Sequence, residues 1–244
     1  MPIPIKFANI LELKSIIAKS LRSDPNLIEL RYDYIDDVQQ ITQGFLNELL
    51  AKVQLKIPVI FTFRNHKEGG KMKIDETIRF EILKTLVLSH PNYLDIEMNT
   101  EKRMLGEIIN LANQNDVNLI FSYHNFDKTP SYEIVSDQIK NFLDRLREEY
   151  GLDSQKMEKI ILKMIFTAQK FEDNLIPLKL CKEISKENMK VISFCMGTLG
   201  IFSRILCVLA GSFLTYASLE EKTAPGQIKI TNLREALNVL QEIE

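Results

Sequence analysis

Along these 244 residues, apolar runs of strand length alternate eight times with stretches whose apolar residues recur at three- and four-residue intervals. The runs are IPIKF (3–7), LIELRYD (27–33), PVIFTFR (58–64), YLDIEM (93–98), NLIFSYH (118–124), KIILKMIF (159–166), VISFCMG (191–197) and SFLTYAS (212–218). They are continuous rather than cleanly alternating, as expected of parallel strands covered by helices. The intervening stretches include NILELKSIIAKSL, VQQITQGFLNELLAKV and ETIRFEILKTLVLSH, and NLREALNVLQEI follows the eighth run. Each gathers its apolar residues on one helical face. Eight strand–helix units in a chain of this length predict an α/β fold of the (β/α)8 TIM-barrel type. With no linker or low-complexity tract, residues 1–244 form one expected domain. An open doubly wound sheet is the alternative, because a strand count does not by itself prove closure.

Lys plus Arg total 31 and Asp plus Glu 33. That near balance offers no field of one sign for nucleic acid or a membrane surface. Cys181, Cys195 and Cys207 are odd in number and lack C-x-x-C spacing, which reads as reduced thiols in a cytoplasmic protein. The start, MPIPIKFANI, lacks the basic-then-apolar pattern of a signal peptide. Residues 191–219 carry a single charge, Arg204, over a length that could span a bilayer. A central arginine in lipid is expensive, and Gly197, Gly200 and Gly211 interrupt the run, so strand, helix and strand is the expected reading.

In such a barrel, active sites form at the C-terminal ends of the strands. The polar residues there are Glu29, Arg31 and Asp33, then Thr62 and Arg64, then Ser122 and His124, with Lys163 interrupting the sixth strand. Each set shares parity, so its side chains project to one face, and the lumen is the face where charge is easier to satisfy. Burial disfavours the charged form of a strand-interior lysine, and a neutral amine can attack a ketone to form a Schiff base. Lys163 could equally be a structural cation paired with Glu29 or Glu97. Lys159 opens its strand toward the barrel bottom and Lys170 lies in a polar loop, so Lys163 is the better nucleophile. His124 could be a proton shuttle for imine chemistry or a strand-end imidazole bonded to a backbone carbonyl. His66 and His90 are expected at the surface.

The segments ELRYD, TFRNHKEGG, SYHNF, the strand lysine, MGTLGIFSR and TAPGQ occur in that order across residues 29–227. Together they resemble the type I 3-dehydroquinate dehydratases, Schiff-base enzymes of the shikimate pathway. The resemblance implies a (β/α)8 barrel, a homodimer, no metal or organic cofactor, and loss of water from 3-dehydroquinate to give 3-dehydroshikimate. By position, Lys163 matches the imine-forming lysine, His124 the proton-shuttling histidine and Glu68 the carboxylate supporting it. Arg204 and Gln227 match substrate-binding residues, and Glu29, Arg31 and Arg64 match a polar wall reading the substrate hydroxyls. Thr223 stands where the pattern has serine, keeping a hydroxyl donor. Phe194 stands where many relatives have methionine. The 38 residues between His124 and Lys163 are more than the pattern leads one to expect, and NFLDRLREEYGLDSQKMEK is expected to lengthen the fifth helix.

Two other functions fit parts of the sequence. A class I aldolase would need a glycine-lined phosphate cradle after the seventh and eighth strands, where Arg204 and Gln227 stand instead. A barrel binding a quinate-like ligand without turnover would have no use for an amine nucleophile. The PG turn also suggests a lid at residues 222–227.

Overall fold

The computed structural model describes residues 1–219 and 226–241. Seven strands run parallel in sequence order: β1 (Pro2–Lys6), β2 (Leu27–Arg31), β3 (Val59–Thr62), β4 (Tyr93–Glu97), β5 (Asn118–His124), β6 (Ile161–Thr167) and β7 (Lys190–Met196). Helices α1 (Ile10–Leu21), α2 (Gln43–Val53), α3 (Glu76–Val87), α4 (Lys102–Gln114), α5 (Tyr132–Glu148), α6 (Ser154–Met157), α7 (Leu175–Lys186), α8 (Ile201–Leu206) and α9 (Ile230–Gln241) alternate with them. The sheet curls into a TIM-barrel-like fold, and its strands are buried on both faces, the burial that continuous apolar runs require. Helix starts are fixed locally. The side chains of Asn9, Thr42 and Ser131 accept hydrogen bonds from Glu12, Phe45 and Ile134 backbone N–H groups, which the helices cannot satisfy themselves.

The eighth predicted strand is a correction. Residues 212–218 are extended between β7 and β1 but form no ladder with either. Phe213 N–H donates to the Val191 carbonyl and Ala217 N–H to the Pro2 carbonyl. The sequence of β1 explains the sparse pairing. Because Pro2 points its backbone at this segment, so does Pro4 two residues on, and neither proline has an N–H to give. Ser218 instead pairs with Lys229 in an isolated parallel bridge.

Two further boundaries differ. The second strand stops at Arg31, and Tyr32–Tyr34 form a 3-10 turn, so Asp33 does not continue the strand alternation. Its carboxylate accepts from Arg31 and from the backbone N–H groups of Arg64 and Lys71. The fifth helix ends at Glu148 rather than running toward residue 159. Gly151 takes φ +64°, a left-handed turn that suits the end of a helix, and the short α6 follows. Among the described residues no helix is long and apolar enough to cross a membrane. The apolar stretch 191–219 divides instead into most of β7, α8 and the extended segment.

Candidate active site

Strand register assembles the site. Ser122 of β5 pairs with Lys163 of β6, and Ile165 pairs with Phe194 of β7. Alternation then sends Lys163, Ile165, Phe194 and Met196 into one cavity with Glu29, Arg31, Arg64, His124 and Tyr216. Lys163 is 4% exposed. Its Nζ lies 2.8 Å from Asp95 Oδ2, 3.7 Å from Glu29 Oε1 and 4.7 Å from the centre of the Tyr216 ring. The alternative lysines, Lys159 and Lys170, are exposed, and Lys159 pairs with Asp116 at the far end of the barrel.

Asp95 divides its charge between two cations, because Arg64 Nη2 also lies 2.8 Å from Oδ2. Burial opposes ionisation of Asp95, but Arg64 and Lys163 outweigh it and hold the carboxyl well below its usual range. Arg64 also donates to Glu97 and Ser122, at 2.7 and 2.6 Å, and Arg79 of α3 supports Glu97 from behind. Thr62 Oγ1 donates to Glu29 at 2.8 Å. Asp95 is a site residue that the sequence reading missed, since lysine partners were sought in Glu29 and Glu97. The signal was present: Asp95 and Glu97 alternate in YLDIEM with the same parity used for the other strands.

The TFRNHKEGG segment delivers a second group of side chains. After β3 the chain forms a 3-10 turn, His66–Glu68, closed by Gly69 at φ +82°. A Cβ on Gly69 would lie 2.3 Å from Phe126, and one on Gly70 would lie 2.0 Å from the Arg64 carbonyl oxygen. Both positions therefore demand glycine. The turn buries Glu68, whose Oε2 accepts from His124 N–H at 2.9 Å and lies 3.3 Å from His124 Nδ1. Burial is the main cause that pushes Glu68 up to about 7. Burial, with Arg64 and Lys163 nearby, holds His124 well below its ordinary value, so the imidazole is neutral and able to accept a proton. His66 and His90 are exposed.

Arg204 sits in α8, just beyond the Thr198–Gly200 turn that follows β7. It is 1% exposed, with its guanidinium carbon 4.3 Å from the centre of the Phe194 ring. The Thr215 hydroxyl fixes its carbonyl at 2.6 Å. Elsewhere in the lumen charges are matched: Asp33 answers Arg31, while Glu29, Asp95 and Glu97 surround Arg64, Arg79 and Lys163. Among the described residues no carboxylate answers Arg204, and its buried Nε and Nη2 have no hydrogen-bond partner. Burial lowers it to about 10, which still leaves it charged at neutral pH. Such a group is suited to complete its coordination with an anion from outside. Gln227 is buried at the same cavity, and Gly226 before it takes φ +77°. Thr223 and most of the predicted lid lie outside the described residues. Among the described residues no three His, Cys, Asp or Glu side chains are grouped to hold a metal ion.

The arrangement can therefore form a covalent bond through an amine, move a proton through an imidazole and hold an anion. Comparison with known proteins is consistent with that chemistry. The family model for type I 3-dehydroquinase matches residues 1–244. A 3-dehydroquinate dehydratase from Bacillus velezensis is 29% identical over 98% of this chain and 92% of its own. The 3-dehydroquinate dehydratase structure from Geobacillus kaustophilus has a TM-score of 0.84 at 27% identity, covering 99% of this chain and 90% of that one. A type I 3-dehydroquinate dehydratase from Clostridium difficile, with covalently modified comenic acid, has a TM-score of 0.82 at 27% identity, covering 100% and 92%.

Proposed function

Because the chain belongs to the type I 3-dehydroquinase family, which acts in the shikimate pathway, we propose that it dehydrates 3-dehydroquinate to 3-dehydroshikimate through a Schiff base on Lys163. The observation that carries this reading is the junction of three features in one cavity: the buried Lys163, the neutral His124 beside Glu68, and Arg204, a cation that no carboxylate among the described residues answers.

The cycle begins with the carboxylate of the substrate on Arg204 and its hydroxyls against Glu29, Arg31 and Arg64, with Thr223 and Gln227 closing the set. Lys163 passes a proton to His124 and its Nζ attacks the C3 ketone, giving a carbinolamine whose hydroxyl leaves as water with that proton to form an iminium. The iminium draws electrons from C2, and His124 takes the C2 proton to leave an enamine. The enamine pair then expels the C1 oxygen, which departs as water with the proton that His124 carries. Hydrolysis of the conjugated iminium returns Lys163 and releases the enone. Glu68 orients His124 and balances its charge while it is protonated. The same reading takes the whole chain as one barrel domain, working as a homodimer in the cytoplasm, and sedimentation equilibrium tests the dimer.

Turnover is the direct test. Mixing the protein with 3-dehydroquinate is expected to raise the ultraviolet absorbance of a conjugated enone, and Lys163→Met is expected to abolish the rise. Wild-type protein with no turnover would overturn the proposal, as would a Lys163→Met variant that keeps its rate.

A further inference from the structure

The segment that replaces the eighth strand also carries a polar atom that the proposed cycle does not use. Alternation along residues 214–217 sends Thr215 to the Arg204 carbonyl and Tyr216 into the cavity. Tyr216 is 4% exposed, its ring faces Lys163 Nζ, and its centre lies 6.2 Å from that of Phe194. Its hydroxyl is buried and has no hydrogen-bond partner among the described residues. A buried hydroxyl without a partner is unfavourable, and folded proteins rarely leave one so without a reason.

Buried hydroxyls without partners occur elsewhere, Tyr32 among them. What separates Tyr216 is its place. It lines the same cavity as Lys163 and Arg204, whereas Tyr32 does not. Arg204 and Tyr216 both pack against Phe194, so two residues with donors that no described residue satisfies flank one aromatic ring. Burial, reinforced by Glu29 and Asp95, pushes the phenol well above its ordinary value, so it keeps its proton and acts as a donor.

We propose that Tyr216 is a further substrate-binding residue, whose hydroxyl donates a hydrogen bond to an oxygen on the carboxylate-bearing end of the substrate, beside Arg204. The proposal rests on the function proposed above for its substrate. It assigns the ring and the hydroxyl different work: the ring covers the Lys163 nitrogen, and the hydroxyl reads the ligand.

Tyr216→Phe separates the two, because it keeps the ring and removes only the unsatisfied oxygen. The measurements are thermal unfolding without ligand, steady-state kinetics with 3-dehydroquinate, and calorimetric binding of quinate, a carboxylate polyol without the ketone. The variant is expected to unfold at the wild-type temperature or above it, since no hydrogen bond to a described residue is lost. Its KM is expected to rise about tenfold, as for one lost hydrogen bond to a charged group, with kcat near wild type and quinate bound correspondingly more weakly. An unchanged KM and quinate affinity would overturn the proposal, and so would a lowered unfolding temperature with kcat falling alongside. If wild-type protein binds quinate but does not turn over 3-dehydroquinate, the proposed function fails alone, and the quinate affinities of the two proteins still decide the role of Tyr216. Absence of both turnover and binding overturns both.

Discussion

Arg204 and Glu68 are two buried charges held under opposite conditions, and each makes a separate prediction. Arg204 has no carboxylate among the described residues, so removing its charge relieves the free protein while depriving the ligand. Arg204→Met is expected to leave thermal stability equal or higher and to raise KM for 3-dehydroquinate at least ~30-fold, the lower end for a buried charge contact. A stability loss with unchanged KM would show a structural arginine. Glu68, pushed up to about 7, is neutral below that value and a carboxylate above it. His124 is held far lower and stays neutral across the same window. The kcat/KM of the free enzyme is therefore expected to rise with pH through about 7, and Glu68→Gln should flatten that limb and lower the rate. The stability sign runs the other way. A carboxyl raised on folding stabilises below its unfolded value near 4.5 and loses that contribution as pH climbs to about 7. Glu68→Gln should remove this decline in chemical denaturation series at several pH values.

The strands were the elements most legible in the sequence, because side chains alternate between two faces for as long as a strand stays regular. Ser122 and His124 lie on β5 and Lys163 on the neighbouring β6, and the structure adds the register that pairs Ser122 with Lys163. The same rule, applied to YLDIEM, would have found Asp95. It failed at Asp33 because the chain leaves the strand at a 3-10 turn, where a period of two no longer holds. The boundary of α5 was hidden for a similar reason, since charged residues continue past the point where Gly151 turns the backbone. The approach of α8 to β7 depends on a position that composition does not flag. A Cβ on Gly200 would stand 2.5 Å from the Cys195 carbonyl oxygen, against backbone that has no room to move. Gly200→Ala is expected to cost about 1–3 kcal/mol in denaturant unfolding, as overpacking does. It should also impair substrate binding, because Arg204 rides on the same helix. A stable variant with normal KM would show that the helix can shift freely.

At the scale of the molecule, the alternation of strand and helix was legible, but the count of eight was not: among the described residues seven strands form, and the closure chemistry decides the difference. It depends on the backbone of β1, where Pro2 and Pro4 remove the donors that a regular eighth strand would need. Hydrogen exchange is expected to reflect this, with amides of residues 213–217 exchanging faster than those of β5 and β6, which are paired on both sides. Equal protection would mean a closed ladder in solution. Packing also shields the thiols. Cys181 and Cys207 are fully buried, and burial pushes them up to about 12 and 11. All three cysteines should resist a thiol reagent until the protein unfolds. The central claim concerns one nitrogen, and borohydride trapping tests it most directly. The protein is mixed with 3-dehydroquinate, reduced, digested and mapped by mass spectrometry. The account predicts a single stable adduct on Lys163. An adduct on Lys159 or Lys170, or turnover with no adduct at all, would contradict it.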